Sequence, residues 1–158
     1  MSVFEKYSPG LGSVGNYQVS GTPWITGSTM AASGTVGVAV GLNASTQHVL
    51  FPYVTKEVTV VNLGQTAIEI HLANDLGAHG TGTGAHKFTI PPSGTVHGSP
   101  LARQVFDMKT KELFVTNKEN AAGAYQIYAS LTRIDRKHMF ELTGSGINNI
   151  EGDTQLVP

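Results

Sequence analysis

The sequence predicts an all-β protein built as a single antiparallel β-sandwich. Apolar residues alternate with polar ones at period 2 from residue 35 onward, helical spacing is almost absent, and turn-forming clusters recur at about 8–12 residue intervals. A chain of 158 residues is one domain's worth, and folding at that size buries roughly two-thirds of the unfolded surface in a single core.

The strands follow in order. Thr35–Val40 reads TVGVAV, with Val36, Val38 and Val40 on one face. Gln47–Tyr53 reads QHVLFPY, where Pro52 lacks an N–H and marks an edge or a strand end. Lys56–Asn62, KEVTVVN, turns Val58 and Val60 inward, and Asn62-Leu63-Gly64-Gln65 supplies the following turn. Thr66–Leu72, TAIEIHL, sets Ile68, Ile70 and Leu72 against Glu69 and His71. His86–Ile90 points Phe88 and Ile90 inward, and after the Pro91-Pro92-Ser93-Gly94 turn Thr95–His97 begins another strand. Residues 101–108 and Lys111–Asn117 give two more, and Lys118–Gly123 forms a turn. Ala124–Ile134 then places Tyr125, Ile127, Ala129 and Leu131 on one side. Eight or so short strands spaced this way are expected to form a jelly roll.

The two ends read differently. Residues 1–34 are rich in Gly, Ser and Thr yet carry Phe4, Tyr7, Tyr17 and Trp24. Aromatics need burial, so this segment is expected to be an extended arm ordered either against its own domain or against a neighbour. Residues 135–158 read as an extended C-terminal tail, leaving 35–134 as the sandwich domain. Phe4, Tyr7, Tyr17, Trp24, Phe51 and Tyr53 lie off the regular strand faces and are the candidate interface residues. Met139 and Phe140 share that character.

Only 13% of residues are charged, about half the share in an average soluble protein. A surface so poor in charge implies cover by a partner. The formal charge of −1 gives no field to hold phosphates, so no nucleic-acid partner is expected. The chain has no cysteine, which removes disulfides, thiolate metal sites and a thiol nucleophile. Glu5 and Lys6 interrupt the apolar stretch a signal peptide requires, and no run approaches a membrane span. The expectation is a protein used without secretion and without a membrane partner.

Catalytic constellations are weak. His71, His79 and His86 with Asp75 are metal-ligating types, but their spacing through a glycine-rich loop fixes no geometry, and the His-x-His pair of cupin metal sites is missing. Ser93 and Ser99 lack the Gly-x-Ser-x-Gly elbow. Glu57, Glu69, Asp107, Glu112 and Glu119 fall on separate strands or turns. Gly80, Gly82 and Gly84 lack both the following helix and the Lys-Ser or Lys-Thr pair of a phosphate loop. No catalytic residue, metal or cofactor is expected, and the loop 74–85 is expected to be mobile until a neighbour covers it.

The segment SPGLGSVGNYQVSGTPWITGS, the pair KEVTVVNLGQTAIEIHL, the turn HKFTIPPSGTV and the closing KELFVTNKENAAGAYQIYASLTRI together resemble the small single jelly-roll structural proteins of double-stranded DNA virus particles, which form pentons, cement or decoration layers. The resemblance is one of style over residues 8–134. It implies a non-enzymatic capsid component, located in the virion, that assembles with copies of itself and contacts a major capsid protein. Two other classes share a sandwich. A carbohydrate- or receptor-binding fibre or tail module would expose Trp24, Tyr53 or Tyr125 as a platform, which a glycan screen would reveal. A cupin-like metalloenzyme would carry a metal detectable by elemental analysis.

Overall fold

The computed structural model of the chain describes residues 21–32, 46–72, 87–93, 102–117, 119, 121–140, 142–143 and 146–147. Eight of its strands build two sheets: β1 (Thr22–Met30), β2 (Thr46–Leu50), β3 (Tyr53–Asn62), β4 (Ile68–His71), β5 (Phe88–Ile90), β6 (Arg103–Phe106), β7 (Glu112–Asn117) and β8 (Gly123–Asp135). One sheet has the order β1-β8-β3-β6 and the other β2-β7-β4-β5, with antiparallel pairing throughout. Successive strands cross between facing sheets except β4 and β5, which pair within one sheet, and the last strand lies between the first and third. This is the jelly-roll order, a sandwich of two interlocked Greek keys. Two further strands, β9 (Leu142–Thr143) and β10 (Gly146–Ile147), form a short hairpin.

The core sits where the period-2 pattern places it. Val58, Val60, Ile68, Ile70, Ile90, Tyr125, Ile127 and Leu131 are all buried in one cluster between the sheets. Phe88 departs from that expectation at 49% exposed. It pairs with inward-facing Ile70, but β5 is an edge strand, so its ring lies at the open rim. There it meets Phe106 of β6 edge-on, with centroids 5.0 Å apart. The opposite rim is closed similarly: Trp24 of β1 stands edge-on to Phe51, the residue following β2, at 5.2 Å. Each open side of the sandwich therefore carries one aromatic pair bridging the two sheets.

Side-chain amides organise one end. Asn62, buried at the end of β3, donates from Nδ2 to the carbonyls of Thr66 (2.7 Å), Ile90 (3.3 Å) and Pro91 (2.9 Å), and its Oδ1 accepts from Gly64 N–H at 2.9 Å. Asn117 does the same at the end of β7, donating to Ala31 and Ala121 carbonyls at 3.1 and 2.7 Å and accepting from Glu119 N–H. Each is an Asx-type turn whose amide also ties a distant strand end. Gly64 is required in the first turn, because a Cβ there would meet Ala124 N at 2.8 Å.

Toward the other end, the register of β3 on β8 shifts between Thr55 and Glu57 and again between Tyr53 and Thr55. The first shift makes Lys56 an extra residue and reverses the facing of what precedes it, as a bulge does. Thr55 becomes the buried member; its Oγ1 donates to the Met108 carbonyl and accepts from Thr110 N–H, pinning the β6–β7 connection. Val54 and Ile134 leave the main core and form a second cluster with Met139 and half-buried Leu142.

Two segment boundaries need correction. The sandwich begins at Thr22, inside the segment expected to be an arm, and β1 runs beside β8 from Thr22↔Leu131 to Met30↔Gly123. Residues after 135 do not simply trail away: Asp135 Oδ1 accepts from Lys137 N–H and caps a 3-10 helix at Arg136–His138. The chain then brings Met139 onto Val54 and Ile134. The expected strands at Thr35–Val40 and Thr95–His97, the loop 74–85 and residues 1–20 and 148–158 lie outside the described residues.

Candidate interaction surface

The outer faces of the two sheets differ in chemistry. On the β2-β7-β4-β5 sheet, Thr46, His48, Glu112, Phe114, Thr116, Glu69 and His71 project away from the core, because Val49, Leu113, Val115, Ile68 and Ile70 project into it. Pairing aligns His48, Phe114 and His71 in one row. The His48 ring stacks on Phe114 at 4.4 Å and 12°, while its Nε2 meets Glu112 Oε2 at 2.7 Å. Glu69 is ion-paired to Lys87, and its other oxygen lies 3.8 Å from His71 Nε2. Glu69, His71, Thr46, Phe114 and Thr116 are buried although they point outward. Among the described residues no three His, Asp or Glu side chains come together as a metal site. His79, His86 and Asp75 lie outside those residues. Two carboxylates on this face are engaged, Glu112 with His48 and Glu69 with Lys87 and His71.

The outer face of the β1-β8-β3-β6 sheet is open and carries a row of exposed, mostly apolar side chains. Ile25 pairs with Tyr128, Tyr128 with Thr59, and Thr59 with Val105. These four residues form a straight row across all four strands. Ile25 is 63% exposed, Tyr128 43% and Val105 38%. The next row, Gly27–Gln126–Val61–Arg103, adds half-buried Val61, and exposed Leu63 follows at the end of β3. On the other side of the apolar row lie Pro23, Ser130 and Glu57. Scattered apolar side chains on a surface are ordinary, whereas here three exposed ones share a single row across the sheet, interrupted by Thr59.

The six candidate interface residues separate in the structure. Phe51 is fully buried in the chain's own core, so it anchors the sandwich and not a partner. Trp24 is half-buried against that core. Tyr53 alone of the described members stands exposed, and Phe4, Tyr7 and Tyr17 lie outside the described residues. Tyr125, a possible platform aromatic, is buried, with its O–H donating to Gln47 Oε1 at 2.8 Å.

The sequence reading missed Ile25, Tyr128 and Val105. It assigned one face of each strand to the core and left the other unexamined. The signal was present: VTVV in β3 and IYA in β8 carry apolar residues at both parities, the pattern of a strand covered on both sides. Comparison with known protein families, curated proteins and solved structures finds no match to this chain. Its class is defined by its own architecture: a single jelly roll with one apolar outer face.

Proposed function

We propose that this chain is a structural component of a virus particle, a penton, minor capsid or decoration protein that acts by assembling and not by catalysis. The observation that carries the reading is the exposed row Ile25–Tyr128–Thr59–Val105 spanning the outer face of one sheet. Fold alone does not assign function. An apolar sheet face on a jelly roll whose sequence is only 13% charged, however, is a surface suited to lasting contact with other subunits. The major shell protein and further copies of this chain are the partners this reading requires. A glycan-binding module keeps only exposed Tyr53 of its three platform aromatics, since Trp24 and Tyr125 are turned toward the core.

The test is density-gradient fractionation of particles made in cells that encode this chain, followed by mass spectrometry. The chain is expected in the particle fraction at a fixed ratio to the shell protein. Its recovery only in the particle-free fraction overturns the reading.

A further inference from the structure

We infer that the apolar face of the β1-β8-β3-β6 sheet docks on the same face of a second copy, related by a two-fold axis lying along the Ile25–Tyr128–Thr59–Val105 row. This rests on the reading of that face as an assembly surface and names its occupant. The argument is charge placement. Arg103 sits in the row on one side of the apolar row, beside Val61. Glu57 sits in the row on the other side, and exposed Asp107 directly follows β6, one step beyond the Val58↔Phe106 pair and so level with Glu57.

A two-fold axis along the row returns the apolar residues onto themselves, Tyr128 against Tyr128 and Ile25 against Ile25. It also exchanges the two flanks. Arg103 of each copy then lies over the backbone at Asp107 of the other and is offset sideways from its Glu57 by about one strand spacing, ~4.8 Å, across sheets roughly 10 Å apart. The interface is isologous, so each charged contact is made twice. An axis parallel to the strands would instead set Arg103 over Gly27 and leave its charge opposite no partner. Aligned face-to-face packing of two sheets at roughly 30° tolerates the former arrangement.

The size of the face sets the strength. Four strands at ~4.8 Å spacing and about six residue steps along β1 give roughly 400 Å² of projected surface. A stable complex buries about 800 Å² per partner. The isolated pair is therefore weak, with Kd in the range of roughly 10 μM to 1 mM, and a shell would strengthen it by multivalency.

Sedimentation equilibrium of the purified full-length chain between about 5 μM and 1 mM tests the inference. The wild type is expected to pass from monomer to dimer over that range. Tyr128→Lys and Arg103→Glu are each expected to weaken dimerisation at least tenfold while melting like the wild type. Combining Arg103→Glu with Asp107→Arg and Glu57→Arg reverses both flanks and is expected to restore the wild-type constant. A chain that is monomeric throughout, or a dimer indifferent to Tyr128→Lys, overturns the inference. So does a triple variant no better than Arg103→Glu alone. None of these outcomes bears on particle fractionation, so the assembly reading stands or falls separately.

Discussion

Asn62 and Asn117 each tie a turn to a distant strand end through side-chain hydrogen bonds. Asn62→Ala leaves the carbonyls of Thr66 and Ile90, whose bonds are buried, and of part-buried Pro91 short of a donor they now share, and is expected to cost about 2–4 kcal/mol in urea unfolding. Tyr125 supplies a pH-dependent contribution. Burial raises its hydroxyl above the ordinary value of 10.0, so the fold holds the neutral form. A raised value means the contribution is complete below about pH 10 and is lost as pH rises through the folded value. Tyr125→Phe removes the hydrogen bond to Gln47 and is expected to be less stable than wild type at pH 7 by about 1 kcal/mol. That gap should shrink as pH rises above about 10; a gap of constant size would show that Tyr125 does not titrate with unfolding.

At the scale of the element, adjacent residues of one strand answer to different environments. Ile127 of β8 is fully buried, while neighbouring Tyr128 is exposed. Ile127→Ala is expected to cost about 2–5 kcal/mol, and Tyr128→Lys to change the monomer's stability by no more than about 0.5 kcal/mol. Thermal melts at low concentration compare them directly. The first strand makes a second element-scale prediction. Deleting residues 2–20 stops short of β1 and should leave a cooperative β transition. Deleting 2–27 removes most of β1 and takes Trp24 from Phe51. It also bares the edge of β8, so that variant is expected to aggregate on heating. A soluble, cooperatively melting 2–27 deletion would mean that β1 is dispensable.

For the whole molecule, the jelly-roll order makes nearly every sheet contact long-range. β1 pairs with β8 from Thr22↔Leu131 onward, so the ends of the sandwich must meet before the β1-β8-β3-β6 sheet is complete. Loop closure on this scale places refolding in the millisecond-to-second range. Stopped-flow fluorescence of Trp24, whose ring is packed on Phe51 only in the folded chain, should follow that phase. Refolding completed within microseconds would contradict a barrier set by topology.

By itself, the sequence determined the class, most strand positions and the inner face, because period-2 alternation records which side chains must leave water. KEVTVVN, TAIEIHL, KELFVTN and AYQIYASLTRI all fall on strands, and their inward residues are the core. Tertiary structure decided what alternation cannot encode. It drew TPWITGSTM into the sandwich as β1, since a segment with Pro23, Gly27 and four Ser or Thr residues becomes a strand only when β8 offers its edge. It left Phe88 at a rim and buried Phe51, because exposure depends on where a strand falls in its sheet. It also placed Ile25, Tyr128, Thr59 and Val105 in one row, from four strands spread over residues 22–135. A surface made from four distant segments exists only once register is fixed, and register is a property of the paired sheet, not of any strand alone.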